Sequence, residues 1–250
     1  MTGLGGRRGI KVKIADCTMR FHPIFCTQSW GEIEAESFRA FAEIIQPGAV
    51  VFDIGASIGP YTFIALAKTG PSGRVVAYEP HDYSRRHLIR HLKWNGAGAQ
   101  TVVRDVCCGA RDSSAEFYYV PDHVEGMSGL VPVEGFEKRV VKVVTLDDEV
   151  TSLGVKPDVV KIDVEGGEWD VLKGAEKILR EIQPILFLSL HRAALAKRRE
   201  TPEEVLEWLS QRGFGSEVIA TDHEIHVLVK PSADPAISMR MAPEQTVRKR

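Results

Sequence analysis

Apolar residues recur along this chain in two alternating periods. In GEIEAESFRAFAEIIQPG, Phe38, Phe41, Ile44 and Ile45 fall at helical spacing, and Pro47-Gly48 stops the pattern. A short apolar run, AVVFDIG, follows at once and reads as a buried strand. PYTFIALAK returns to helical spacing, with Pro60 suited to a first turn. The alternation continues with GRVVAYEP as a second strand, DYSRRHLIRHLKWN as a basic amphipathic helix ended by Asn95-Gly96, and TVVRDV as a third strand. AEFYYVP and RVVKVVTL read as extra strands around a loop. DVVKIDV is a fourth core strand, EWDVLKGAEKILREI a helix, and PILFLSLH a fifth core strand. TPEEVLEWLSQRGF opens on a cap-like Thr201-Pro202, and SEVIA and IHVLVK supply two closing strands.

Repeated strand–helix units with V/I-rich strands predict an α/β fold: a mostly parallel, doubly wound sheet covered on both faces. The expected organisation is an N-terminal segment with a lead-in helix over 1–46, a cofactor-binding domain over 47–230 and a flexible tail over 231–250, where no apolar period remains.

Composition narrows the function classes. At 250 residues and 44% hydrophobic content the chain can bury one substantial core. Its charges nearly cancel to a net −2, which gives no broad surface for nucleic acid or an anionic membrane. The first twenty residues hold no continuous apolar stretch of signal-peptide type, so the expectation is a soluble, cytoplasmic protein. Cys17, Cys26, Cys107 and Cys108 lack C-x-x-C spacing and read as free thiols. The sequence sets no oligomeric state.

In doubly wound sheets ligands sit at the carboxyl ends of the strands, so the residues there carry the candidate chemistry. Gly55 and Gly59 lie between a strand and a helix, where a missing β-carbon permits a tight turn and close approach to main-chain N–H groups. Glu79 ends the next strand, where an acid accepts hydrogen bonds from both ribose hydroxyls of a nucleoside. The dinucleotide pattern G-x-G-x-x-G is not met, since Ala56, Ser57 and Ile58 separate the glycines, and Asp53 suits a cationic group better than a pyrophosphate. No phosphate-binding loop is present. An NAD-dependent oxidoreductase is thereby disfavoured, while a noncatalytic nucleoside-binding protein would keep Asp53 and Glu79 but have no use for the acids further along.

Those acids are Asp163 and Glu165, which alternate around Val164 at the end of the fourth strand, so that an extended backbone would aim both one way. His191 ends the fifth strand next door. A transfer to a hydroxyl group would need a group that takes its proton, and an imidazole of ordinary pKa near 6.5 is the expected base, with the two acids orienting it or the acceptor. The same three groups could hold Mg²⁺, but no further acid pair follows the fifth strand and no metal is assigned. HEIH at His223 to His226 lacks the helical spacing of a zinc protease and reads as a strand-edge surface. AEFYYVPDHVEGMSGLVPVEGF forms either an acceptor-pocket cover or a solvent-side hairpin, and the basic run Lys197 to Glu200 is a solvated face or an attractor for an anionic acceptor.

VFDIGASIGPYTF, GRVVAYEP, VVTLDDEV, VVKIDVEGGEWDVLKGAEKIL and PILFLSLH, in that order, resemble the FkbM family of S-adenosylmethionine-dependent methyltransferases over roughly Gly31 to Leu228. The resemblance implies a class I methyltransferase fold, a seven-stranded sheet with its last strand antiparallel, and O-methylation of a small-molecule hydroxyl acceptor such as a sugar or polyketide. By matching positions, Asp53, Gly55, Ala56, Ser57 and Gly59 would line the methionine and ribose side of S-adenosylmethionine, and Glu79 would bind the ribose. Ser57 stands where the family more typically has Asn. Asp105 would face the adenine amino group, with Val106 giving a backbone contact. Glu34 either closes over the cofactor or stabilises a helix start.

Overall fold

The V/I-rich runs pair side by side. The computed structural model describes residues 8–26, 34–124 and 128–232. β1 (Ile10–Ile14) and β2 (Cys17–Phe21) form an antiparallel hairpin, followed by α1 (Ala35–Ile44), β3 (Val50–Ile54), α2 (Pro60–Thr69), β4 (Arg74–Tyr78), α3 (Asp82–Asn95) and β5 (Thr101–Arg104). Next come β6 (Cys107–Cys108), β7 (Ser113–Tyr119), β8 (Glu137–Val144), α4 (Leu146–Leu153), β9 (Val159–Ile162), α5 (Glu168–Lys173) and α6 (Glu176–Glu181). The chain continues through β10 (Ile185–Leu190), α7 (Arg192–Lys197), α8 (Pro202–Ser210), β11 (Phe214–Thr221) and β12 (Ile225–Pro231).

The main sheet has seven strands in the order β11-β12-β10-β9-β3-β4-β5. β9, β3, β4, β5 and β10 are parallel, and β12 runs antiparallel to both its neighbours. The order reverses at β3 and β9, which places the crevice between their carboxyl ends. β6, β7 and β8 form a separate small sheet beside that crevice. Among the described residues no helix is long and apolar enough to cross a membrane.

Two local features depart from the sequence pattern. The segment before α1 carries a hairpin whose Ile14, Met19 and Phe21 are buried against α1, α2 and α3, an alternation too short to read. Asn95 substitutes for a strand partner there: its side chain accepts from Arg20 N at 2.8 Å and donates to Arg20 O at 3.0 Å. The single helix expected over EWDVLKGAEKILREI divides into α5 and α6 at Gly174, where a β-carbon would lie 2.0 Å from the Gly109 carbonyl oxygen. α8 begins as its sequence suggests, with Thr201 Oγ1 accepting from Glu204 N and Glu204 Oε2 accepting from Thr201 N. Most of the tail lies outside the described residues, as does Met127 of the proposed cover loop.

Candidate active site

The carboxyl ends of β3, β4 and β9 open into a cavity of about 600 Å³, a size suited to a small-molecule ligand. The turn after β3 forms one wall. Gly55 (φ 85°) brings this turn so close to β9 that a β-carbon there would sit 1.8 Å from the Asp163 carbonyl oxygen. Gly55 N and Ala56 N both donate to Tyr78 O, so the turn is fastened to β4 as well. His91 fastens it from behind: Nε2 accepts from His22 N and Nδ1 donates to Ile58 O, each at 3.0 Å. Burial pushes this imidazole down to about 4, so it stays neutral, as one donor and one acceptor require.

Glu79 is held at the end of β4 with its two oxygens on different backbone donors. Oε2 accepts from Ser57 N at 2.6 Å and Oε1 from His81 N at 2.7 Å. Burial nevertheless pushes the carboxyl up to about 7. Beyond it, Val106, Cys107, Phe117 and His81 line a slot of uncharged groups. Burial raises the Cys107 thiol to about 12 and lowers His81 to about 4, so both are neutral at pH 7.

The opposite end of the cavity is crowded with charge. Glu165 (φ 55°) and Gly166 (φ 96°) both take left-handed backbone, and this turn, rather than extended alternation, brings Asp163 and Glu165 onto one wall. Behind them His191 stands among four carboxylates. Its Nδ1 meets Glu168 Oε1 at 2.8 Å, and its Nε2 lies 2.9 Å from Glu224 Oε2, 3.3 Å from Glu165 Oε1 and 3.6 Å from Asp163 Oδ1. Burial works against the charged imidazole, but these carboxylates outweigh it and hold His191 far above the usual histidine range. These contacts run against the expected neutral imidazole base. Both ring nitrogens of His191 thus face carboxylate oxygens.

Lys161 lies next to them, 2% exposed within β9. Its Nζ lies 2.9 Å from Asp163 Oδ2, 3.9 Å from Asp53 Oδ1 and 4.4 Å from the centre of the Tyr61 ring. Burial opposes its charge, yet Asp163 and Asp53 raise it above the ordinary lysine value. In turn Lys161 and His191 overcome burial to hold Asp163 below the usual carboxylate range. Glu165, without such a cation in contact on the lysine side, is raised by burial, with His191 offsetting part of the shift.

Glu34, Gly55, Ala56, Ser57, Glu79, Val106, Asp163 and Glu165 lie on the cavity wall. Glu34 also accepts from the Tyr61 hydroxyl at 2.8 Å. Asp53, Gly59, Asp105 and His191 are off the wall. Asp53 is fully buried, with Oδ2 accepting from Thr62 Oγ1 at 2.6 Å, so it braces β3 and Lys161 from behind and does not face a ligand. Gly59 packs against Leu88 and Phe63. Asp105 is exposed beyond the end of β5. Arg198 of the basic run pairs with Asp170 and Glu200, away from the cavity.

Lys161, Glu168, Glu224 and His226 were not expected in the site. Lys161 had one visible signal, a cation inside an apolar strand. HEIH, expected as surface, is half interior: Glu224 and His226 are buried at 3% and 0% exposure. The cause is the sheet order, since β12 lies next to β10, which sets His226 opposite Ser189 and Glu224, just before β12, beside His191.

A model of the FkbM methyltransferase domain matches residues 53–215. The chain belongs to this family. It is 27% identical over 186 residues to the hexuronic acid methyltransferase AglP of Haloferax volcanii, covering 74% of this chain and 71% of that protein. A solved FkbM methyltransferase from Methylobacillus flagellatus shares the fold at TM-score 0.53 and 17% identity over 77% of this chain, which spans only 50% of that one. An rRNA-methylase-like structure from Clostridium thermocellum shares it at TM-score 0.52 and 11% identity, over 78% of this chain and 93% of that one.

The FkbM-type chain is an S-adenosylmethionine-dependent methyltransferase, and its donor set fits that cofactor. The acid wall suits a sulfonium and an ammonium group, Glu79 retains lone pairs for two ribose hydroxyls, and the neutral slot beyond it suits an uncharged base.

Proposed function

We propose that this methyltransferase acts on a hydroxyl oxygen of a small molecule, with a sugar as the first class to test. The observation that carries the reading is the pair Asp163 and Glu165 on the cavity wall, at the end away from Glu79. Bound S-adenosylmethionine supplies an electrophilic methyl group at its sulfonium. The protein must then place an alcohol in line and accept its proton. Asp163 Oδ2 is occupied by Lys161, whereas Glu165 meets the cluster only through Oε1. Glu165 is accordingly assigned as the proton acceptor, Asp163 as the group that orients the acceptor hydroxyl, and His191 as a positioning residue that holds both acids in place.

Similarity to a hexuronic acid methyltransferase over most of the chain supports the sugar class. The test is release of S-adenosylhomocysteine across a panel of neutral sugars, uronic acids, amino sugars and polyketide alcohols. Turnover with at least one sugar, and methylation at oxygen by mass spectrometry and NMR, is the expected outcome. Methylation at nitrogen or carbon, or turnover confined to a macromolecule, would overturn it.

A further inference from the structure

The fit of four acids around one imidazole has a simple reading in coordination chemistry. A divalent cation with bonds of about 2.1 Å in octahedral geometry sets neighbouring donor atoms about 3 Å apart. The three oxygens that surround His191 Nε2 lie at 2.9, 3.3 and 3.6 Å from it. Ligand atoms of Asp163, Glu165 and His191 all fall within 4.8 Å of one another. On the far side of the ring, Glu168 takes Nδ1 at 2.8 Å, the carboxylate–histidine arrangement that turns the other nitrogen's lone pair toward a metal. Glu168 is itself fully buried and its Oε1 also accepts from Gly166 N, so its orientation is fixed.

A second observation points the same way. Glu224 Oε2, on a side chain 3% exposed, faces His191 Nε2 at 2.9 Å and has no hydrogen-bond partner among the described residues. A buried carboxylate oxygen left without a hydrogen bond is costly unless a cation stands close to it.

We propose that Asp163, Glu165 and His191 Nε2 bind one divalent cation of the Mn²⁺ or Mg²⁺ class, with Glu168 orienting the imidazole. Mixed carboxylate and imidazole donors favour Mn²⁺ as the probe. Asp163 contributes Oδ1 while Oδ2 stays on Lys161, and Glu165 contributes Oε1, leaving its second oxygen for an acceptor proton. If the acceptor is a uronic acid, which rests on the reading above, the ion also supplies counter-charge at an end of the cavity walled by Glu34, Asp163, Glu165 and Glu224.

Mn²⁺ titration into chelator-treated full-length protein, without cofactor or acceptor, tests the site by electron paramagnetic resonance. One ion per chain is expected, with nitrogen hyperfine coupling from one imidazole. His191→Ala should abolish that coupling, and Glu165→Gln, on the cavity wall, should lower affinity at least tenfold while S-adenosylhomocysteine still binds. Glu168→Gln should weaken the ion about 10–100-fold, the range for an outer partner of a ligating histidine. The proposal is overturned by wild type that binds S-adenosylhomocysteine but takes up no Mn²⁺ at millimolar concentration, or by unchanged affinity in Glu165→Gln. Coupling that survives His191→Ala and disappears in His226→Ala would also overturn it, moving the ion to Glu34, Glu224 and His226. None of these readouts involves methyl transfer, so failure here leaves the sugar reading to its own screen.

Discussion

At the β3–β4 end of the cavity a single carboxylate, Glu79, hangs from two backbone N–H donors, whereas at the β9–β10 end four carboxylates crowd one imidazole and a buried lysine. The first end recognises by main-chain shape with one anion. The second stores charge in side chains that stabilise one another and lose that support when one is removed. Substitutions should therefore separate cleanly: changes at the charged end cost turnover or folding, and changes at Glu79 cost cofactor affinity.

Glu165→Gln is the largest expected break. It keeps the shape of the wall but removes the assigned proton acceptor, so kcat should fall by roughly 10²–10⁴-fold, the usual contribution of general acid–base catalysis. Affinity for S-adenosylhomocysteine, measured by calorimetry, should change less than threefold or so. A near-wild-type kcat would remove Glu165 from the chemistry.

Lys161→Met tests the stored charge directly. Asp53 and Asp163 would lose the cation between them, in surroundings where Lys161 and Asp53 are 2% and 0% exposed. Breaking such a buried arrangement from one side costs about 3–5 kcal/mol, which urea unfolding should read as a lower midpoint. Lys161→Met paired with Asp53→Asn should recover part of the loss, because one orphaned carboxylate has been neutralised. No recovery would mean that Lys161 matters by packing alone.

The same contrast explains what could be read from the sequence. Gly55, Ser57 and Glu79 belong to two consecutive strand–turn units, so their positions follow from local periodicity and the rule that ligands meet strand ends. Lys161 stood out as a polar residue inside an apolar strand, but its partners Asp53 and Tyr61 are about a hundred residues away in a sequence that shows no pairing. Glu224 and His226 looked like an exposed edge because the position of β12 between β10 and β11 is a property of strand order, which one sequence does not display. His191 was placed correctly at the end of β10, yet its charge state depends on Glu168 and Glu224 arriving from two other elements. Asp53 was legible as an acid at a strand end but not as one turned inward, since Thr62 in the first turn of α2 captures it.

Glu79→Gln sharpens the other side of the comparison. The amide retains one acceptor oxygen but replaces the other with a donor, which would confront Ser57 N or His81 N. S-adenosylhomocysteine affinity should weaken by roughly 1.5–3 kcal/mol, the range for a hydrogen bond to a charged group, with the unfolding midpoint little moved. Unchanged affinity would place the ribose elsewhere.

The smallest effect is a pH dependence of that same contact. In the free protein burial raises Glu79 from 4.5 to about 7, and the N–H donors of His81 and Ser57 and the nearby Arg85 recover only part of the cost. Ribose hydroxyls donate to a carboxylate, so the bound state favours the ionised form and lowers the pKa again. Below pH 7 binding must expel a proton, and affinity falls by up to about tenfold per pH unit; above 7 the acid is already ionised and affinity levels off. S-adenosylhomocysteine should thus bind roughly tenfold tighter at pH 8 than at pH 6. The sign for folding is opposite: a raised carboxyl contributes stability that is present below its unfolded value of 4.5 and is lost as pH rises through about 7. The rise in Tm on adding S-adenosylhomocysteine should therefore grow between pH 6 and 8 even as the free protein's own Tm loses that contribution. Glu79→Gln has no proton to exchange and should flatten both trends. A wild-type affinity that stays flat from pH 6 to 8 would show that the cofactor meets Glu79 without changing its charge, and the two ends of the cavity would then differ in geometry but not in how they handle a proton.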